Sequence, residues 1–325
     1  TWHWLEANLQ GELPYDALIS AVAHASRWRH ALLLFEELRG ASVAADGLWH
    51  AAVGSCARGA QWYLALRLLQ SMAGEAAAPD VRALSAAVGA CEKAAVWEQA
   101  LRLVVSEGRG TARSAATFGA AISAFQKGAK WELALAMLGF MEGSRVARDT
   151  IACSACISAC SAGLQWAHAL LLFDQVQHGS CSIEPDRITY NAAIQACSQG
   201  IRWERALQLF GSIAMPTIVS FNATLDAVYQ QETLARHIWE KGVAKGVYHS
   251  LEHWEGSSGT LDLHRLSEGA SVAAVIWWLK VRIPERQGQA THLRIVTGWG
   301  KSRLAHQRGD VKARILSTLR GIGVQ

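Results

Sequence analysis

Two short strings near the C-terminal end of this 325-residue chain carry side chains able to do chemistry on a phosphodiester. In Leu261-Asp-Leu-His264 the carboxylate and the imidazole stand two residues apart. On a β-strand that spacing puts both on one face, where Asp262 and His264 can act as base and acid or hold a cation. In Gly298-Trp-Gly300-Lys301-Ser302 the glycines let the main chain approach an anion closely and Lys301 supplies charge, so Gly298, Gly300 and Lys301 are candidate phosphate ligands. The plainer reading of that string is a tight turn with a solvated lysine. A nucleoside-triphosphate loop is excluded, because the glycine it needs five residues before Gly300 is Ile295. His249-Ser-Leu-Glu-His253 fits an inverted zinc-protease string, but its place at a junction rather than within a long helix argues against that chemistry.

The elements that must position these strings read as strand, helix, strand, helix. Leu261–His264 alternates as a short strand, Ser267 opens a helix that runs to about Val281, His292–Thr297 reads as a buried strand, and a last helix spans about Asp310 to Arg320. This is the pattern of a small α/β two-layer structure.

Ahead of it the chain repeats itself. Trp28, Trp62, Trp97, Trp131, Trp166 and Trp203 are spaced 34, 35, 34, 35 and 37 residues apart. Three residues after each stands Ala (Ala31, Ala65, Ala100, Ala134, Ala169, Ala206) and next comes Leu; nine before each stands Ile or Val (Ile19, Val53, Val88, Ile122, Ile157, Ile194). Apolar positions at helical spacing on both sides of a turn make each repeat two amphipathic helices. The turn carries a small residue three before the Trp (Ala25, Gly59, Ala94, Gly128, Gly163, Gly200), which suits a helix terminus and a close approach of backbones. One hairpin cannot bury both its faces, so neighbours must stack into an array with a groove. A seventh repeat, Ile218–Gly242, begins like the others with Val219-Ser-Phe-Asn222 but is expected to lose its Trp-x-x-Ala-Leu second helix.

Composition bounds the partners. Hydrophobic residues make up 51% and charged residues 18%, a globular balance, and the apolar runs are too often interrupted to span a bilayer, so no membrane partner is expected. The net charge of +4 is uneven: residues 240–325 hold 13 Lys and Arg against 7 Asp and Glu, which makes a polyanion partner plausible there. Seven cysteines form no even disulfide framework. Cys56, Cys91, Cys160 and Cys197 all lie six before a repeat Trp, a position that takes Val22 and Phe125 in other repeats, and so read as packing residues; no metal site is expected. The chain opens at Thr1, in a stretch that reads as the remnant of a preceding repeat (1–11), so the natural N-terminus is expected to lie further upstream.

The strings Ile188-Thr-Tyr-Asn-Ala-Ala-Ile194 and Trp203-Glu-Arg-Ala-Leu-Gln-Leu-Phe210, with Pro185-Asp186 closing the preceding repeat, closely resemble the pentatricopeptide repeat. Tetratricopeptide repeats share the period but bring Trp and Tyr in the first helix, which is not the pattern here. The resemblance implies an all-α right-handed solenoid of helical hairpins with repeats at 12–45, 46–80, 81–114, 115–149, 150–186 and 187–217, then a degenerate repeat and linker over 218–250. It implies single-stranded RNA as partner at about one nucleotide per repeat, read by the fifth residue of the first helix and the repeat's closing residue. Those fifth residues are Asp16, His50, Ser85, Gly119, Ser154, Asn191 and Asn222, and the closing residues include Asp80, Ser114, Asp149, Asp186 and Thr217. Ser154 with Asp186 would favour guanine and Asn191 with Thr217 a pyrimidine, whereas His50 and Gly119 depart from the family pattern. Ser, Asn and Asp are also ordinary residues at helix N-termini. Arg58, Lys93 and Lys127 share one repeat position and would line up at phosphate height, with His24, Ala162 and Gln199 filling that column elsewhere.

Leu-Asp-Leu-His followed by Thr-Gly-Trp-Gly-Lys-Ser, one helix and one strand apart, resembles the small MutS-related (Smr) domain over 251–325, although Arg265 stands where that family usually has Gly. Together the two resemblances imply an RNA-binding protein of RNA processing, stabilisation or translation in a chloroplast or mitochondrion, a monomer whose C-terminal domain binds or nicks nucleic acid. A nicking domain would be an endonuclease, with a divalent cation such as Mg as its cofactor; no other cofactor is implied. The alternative from another class is a helical-repeat scaffold for protein interactions, since the same groove suits peptides.

Overall fold

The computed structural model describes residues 15–24, 27–40, 46–74, 79–106, 114–178, 183–249, 251–256, 258–285, 292–297 and 311–321. The chain divides into two compact units, Thr1–Ala159 and Cys160–Gln325.

The first unit is a row of helical hairpins. Helices α1 (Tyr15–His24) and α2 (Trp28–Gly40), α3 (Asp46–Arg58) and α4 (Trp62–Gly74), α5 (Val81–Lys93) and α6 (Trp97–Ser106), and α7 (Ala115–Lys127) and α8 (Trp131–Gly143) form the hairpins, and α9 (Thr150–Ala162) runs across the division. The first helices pack on one another in sequence, α1 on α3, α3 on α5 and α5 on α7. Each second helix from α2 to α6 wedges between its own first helix and the next. The recurring residues explain why: Ala31, Ala65, Ala100 and Ala134, and Ile19, Val53, Val88 and Ile122, are all 0% exposed. The small alanine lets helix axes come close while the branched residue nine before the Trp fills the space between layers.

Every repeat Trp is the first residue of its second helix. The small residue before it has a more specific task than ending a helix. A Cβ built on Gly59 would stand 2.6 Å from Trp28 Cγ, one on Gly128 2.6 Å from Trp97 Cδ1, and one on Gly200 2.7 Å from Trp166 Cδ2. The glycine therefore makes room for the indole of the preceding repeat, and Lys130 over Trp97 (5.0 Å) and Arg202 over Trp166 (5.5 Å) close the other side as cation–π contacts. In α3, α5, α7, α9 and the later first helix Arg187–Gln199, the left-handed residue that ends the helix is the next one along: Ala60, Ala95, Ala129, Leu164 and Ile201, with φ between 52° and 59°. A backbone bond from the residue before the Trp to the carbonyl six before it completes the turn, as in Gln61 N–H to Cys56 O (2.9 Å) and Arg202 N–H to Cys197 O (2.8 Å). The side chains of Cys56, Cys91, Cys160 and Cys197 are 0% exposed, and burial pushes the Cys56 and Cys197 thiols up to about 12 and Cys91 to about 11.

The second unit continues with α10 (Trp166–His178), α11 (Arg187–Gln199), α12 (Trp203–Gly211), α13 (Ile218–Val228) and α14 (Glu232–Ala244), with α11 packed on α13. The seventh hairpin keeps its second helix although the signature is gone. Ala235 holds the alanine position, and Trp239, fully buried and stacked on Tyr248 at 4.2 Å, replaces the anchoring contact from a new place.

A three-stranded sheet of order β1-β2-β3 follows: β1 (Glu252–Glu255), β2 (Ser258–Asp262) and β3 (His292–Val296), with β1 antiparallel and β3 parallel to β2. Helix α15 (Glu268–Trp277), capped by Ser267 and prolonged by a π turn (Trp278–Arg282), forms the crossover between β2 and β3, and α16 (Val311–Gly321) packs against α15. The strand–helix–strand–helix order holds. Among the described residues strand β3 pairs with β2 alone, and it is not the buried strand expected: Leu293 is 46% exposed.

Candidate nucleic-acid interface

The closing residues all sit at the start of the next first helix, where the first backbone N–H groups need acceptors. Asp80 accepts from Ala83 N–H (2.9 Å), Ser114 from Thr117 N–H (3.2 Å), Asp149 from Ala152 N–H (2.7 Å) and Asp186 from Thr189 N–H (2.8 Å), while Thr217 shares a capping box with Ser220. The helix-capping role is thus realised at every one of them.

The fifth residues lie one turn into the same helices, and in two repeats the fifth residue meets its closing partner. His50 Nε2 stands 2.6 Å from Asp80 Oδ1. That carboxyl lies below its ordinary value: burial raises it, but the Ala83 N–H, His50 and Arg82 outweigh burial. Ser85 Oγ stands 3.2 Å from Ser114 Oγ and 2.5 Å from Thr117 Oγ1, and donates to Val81 O (2.7 Å). Gly119 is buried, and a Cβ built on it would stand 3.4 Å from Ile151 Cγ2 of the following repeat. Ser154 is 6% exposed and donates to Ile151 O (3.0 Å). Asn191 is half-buried, and its Oδ1 has no hydrogen-bond partner among the described residues. Asp16 lies in α1, but its side chain is outside the described residues.

Asn222 departs from the expected open groove. Its Nδ2 donates to Arg265 O (3.1 Å) and its backbone carbonyl accepts from Ser267 Oγ (3.2 Å), because the loop between β2 and α15 closes over this end of α13, while its Oδ1 has no hydrogen-bond partner among the described residues. The cation column also differs from a free ladder. Arg58 is 3.5 Å from His24 Nε2, and Lys127 bonds both the carboxylate (2.9 Å) and the backbone carbonyl (3.1 Å) of Glu92; Gln199 bonds Ser161 O (2.8 Å). These long side chains reach the end of the preceding repeat's first helix, where the partial negative charge of the helix terminus attracts donors. Lys93 is exposed.

The residue reading missed one apolar column. Ile151, Ile188 and Val219 are 64%, 61% and 57% exposed, each three residues before a fifth residue (Ser154, Asn191, Asn222), hence on the same helix face. An aliphatic surface beside a polar reader suits the flat face of a base. The signal was a branched apolar residue where a helix N-terminus is usually polar.

In the α/β part, Asp262 is the last residue of β2 and His264 lies in the turn that follows, so the pair does not share a strand face as expected. The turn still brings them together: His264 Nδ1 is 2.6 Å from Asp262 Oδ1, which also accepts the His264 N–H (3.0 Å). Burial raises the Asp262 carboxyl, but the His264 N–H and ring, with Arg265, outweigh it and hold it below its ordinary value. A carboxylate on Nδ1 fixes the tautomer that leaves Nε2 as an acceptor, the arrangement of a general base, on a side chain 56% exposed. Both residues line a cavity of about 1050 Å³ together with Asn222, Asp226, Tyr229, His249 and Arg265. Gly298, Gly300 and Lys301 lie outside the described residues. His249 is in a turn and His253 on β1, so the zinc-protease string lacks its helix. Among the described residues no group of three His, Cys, Asp or Glu is placed to hold a metal, and no helix is long and apolar enough to cross a membrane.

The PPR repeat family matches residues 14–43 and 188–214. No curated protein matches the chain. Among solved structures, the pentatricopeptide repeat protein PPR10 from maize is similar with a TM-score of 0.55 and 20% identity, over 95% of this chain and 39% of that one. PPR10 in complex with an 18-nt psaJ RNA element gives a TM-score of 0.47 and 15% identity, over 88% of this chain and 46% of that one. The chain thus spans well under half of PPR10, and at this identity the likeness is one of fold. It has two segments that match the PPR repeat, within a helical-repeat fold similar to that of maize PPR10.

Proposed function

We propose that this chain binds single-stranded RNA with sequence selectivity along the first helices of a right-handed solenoid, six repeats within 12–217, and serves RNA processing, stabilisation or translation in a chloroplast or mitochondrion. The observation that carries this reading is the pairing of columns: a polar fifth residue at a fixed place in every first helix but that of Gly119, with Ile151, Ile188 and Val219 exposed one turn before it in the last three. Polar edge-readers beside aliphatic faces are what an unstacked base needs, and a peptide-binding groove has no reason to repeat them at one per hairpin. The test is binding of the purified chain to a randomised RNA pool across a salt series. Selective binding that weakens as salt rises is expected; salt-insensitive binding, or none, would leave the peptide scaffold as the better reading.

Residues 251–325 act, in this proposal, as a small MutS-related domain that binds or nicks the same RNA. The Asp262–His264 pair supports it: a tautomer-fixed imidazole at a cavity with room for a nucleotide can take a proton from a 2′-hydroxyl or a water attacking phosphorus. Gly298, Gly300 and Lys301 would hold the phosphate. The donor set does not fit a protein-held divalent cation, because Asp262 Oδ1 is committed to His264, Asp226 Oδ1 to Gly269 N–H and Glu268 Oε1 to Arg314. Asp262→Asn is expected to lower nicking of a bound RNA by at least about a hundredfold with its dissociation constant unchanged. Equal nicking by the variant would remove Asp262 from the reaction.

A further inference from the structure

We infer that the array reads its RNA unevenly: base selection is concentrated on the repeats of Ser154 and Asn191, while the three preceding repeats, those of His50, Ser85 and Gly119, accept any base. This rests on the RNA-binding reading and adds to it which positions discriminate.

The argument is an inventory of hydrogen-bonding capacity. A serine hydroxyl has one proton to give and two lone pairs to receive with. Ser85 gives its proton to Val81 O (2.7 Å), and its oxygen is approached by the hydroxyls of Thr117 (2.5 Å) and Ser114 (3.2 Å). All three capacities are spent inside the protein. Ser114, the closing partner, already caps α7 through Thr117 N–H. A base edge that bonds to Ser85 must displace an existing bond, an exchange that is close to neutral and so favours no base. In the preceding repeat His50 Nε2 lies against Asp80 Oδ1 at 2.6 Å, and that oxygen also accepts Ala83 N–H, so the closing residue's carboxylate is already engaged inside the protein. Gly119 has no side chain with which to read.

The next two repeats differ. Ser154 spends its proton on Ile151 O, which leaves its oxygen able to accept. Asn191 Oδ1 has no donor among the described residues, and a buried amide oxygen without a partner is a costly arrangement that a base N–H would relieve. Beyond them Asn222 Oδ1 also lacks a partner among the described residues, but its Nδ2 is held by Arg265 O and its backbone carbonyl by Ser267 Oγ, so the loop between β2 and α15 already covers that residue. Discrimination therefore falls on two adjacent nucleotides flanked on one side by a tolerant stretch of three.

The full chain should be mixed with a randomised RNA pool and the bound fraction sequenced, in parallel with Asn191→Ala, Ser85→Ala and Thr117→Ala. One position is expected to favour its preferred base by about tenfold and to flatten in Asn191→Ala, which fixes the register. The positions two, three and four places from it should show preferences below about twofold, unchanged in Ser85→Ala. Thr117→Ala frees a lone pair of Ser85, so a new preference should appear three places from the Asn191 position. A strong preference there in the unaltered chain that Ser85→Ala removes would overturn the inference while leaving RNA binding intact. Absence of any enriched RNA would instead defeat the RNA-binding reading, and the inference with it.

Discussion

Two glycines, Gly200 and Gly269, leave no room for a Cβ, and what presses on them differs. Gly200, between α11 and α12, faces the indole of Trp166, with a built Cβ 2.7 Å from Cδ2 and 2.8 Å from Cε3. Gly269, in the first turn of α15, faces main chain: its Cβ would stand 2.6 Å from Leu225 O and 2.8 Å from Asp226 Cα, while its N–H donates to Asp226 Oδ1 at 2.7 Å. An indole can rotate by a few tenths of an ångström, and the same turn position holds Ala25 and Ala94 in other repeats. A helix backbone cannot give way without breaking its own ladder. Joints within the array are thus compliant, and the joint of α15 to the last hairpin is rigid.

The largest effect that follows is at the rigid joint. Gly269→Ala should destabilise the second unit by about 3 kcal/mol, the upper range for overpacking. It should be visible as an earlier urea transition and as faster amide exchange in α15. Gly200→Ala should cost about 1 kcal/mol or less, because the moving indole relieves the clash and the alanine restricts the unfolded chain. Equal losses at the two positions would erase the distinction between compliant and rigid joints.

The same contrast explains what could be read from the residues. Trp, the alanine three after it, the Ile or Val nine before it and the cysteine six before it were legible because each contact is made again in repeat after repeat, and a requirement met that often leaves a period. Gly269 meets a requirement that occurs once, so it reads as any helical glycine. Asn222 was assigned to the groove on its place in the period, but what covers it is the carbonyl of Arg265, and a main-chain acceptor leaves no trace in residue type. Asp262 and His264 were found by their spacing, and their 2.6 Å contact exists although the strand that was expected to present them ends at Asp262. Strand β3 was read as buried from its apolar run, but Ile295-Val296 cannot say on how many sides a strand is paired. The exposed Ile151, Ile188 and Val219 recur at three positions, yet a branched apolar residue on a helix reads first as core, and residue type alone does not tell an exposed one from a buried one.

The left-handed turn residues mark the boundary of this rule, since they recur and yet range from alanine to bulky aliphatic side chains: Ala60, Ala95, Ala129, Leu164 and Ile201. The turn constrains φ and not the side chain, which points to solvent, as Leu164 and Ile201 do at 61% and 69% exposure. A β-branched residue at φ 54° is the most strained of them. Ile201→Gly should relieve about 1–2 kcal/mol of local strain and lose part of that to the greater freedom of glycine in the unfolded chain, about 0.4–1 kcal/mol. The net expectation is a gain of about 1 kcal/mol, read as a later urea transition. Little burial is forfeited, because the side chain is mostly in water. Gly200→Ala and Ile201→Gly thus move glycine by one residue along the same turn. If the pair were as stable as the original order, the turn would be indifferent to which of its two residues is small; a gain from Ile201→Gly alone places the backbone demand at 201 and the steric demand at 200.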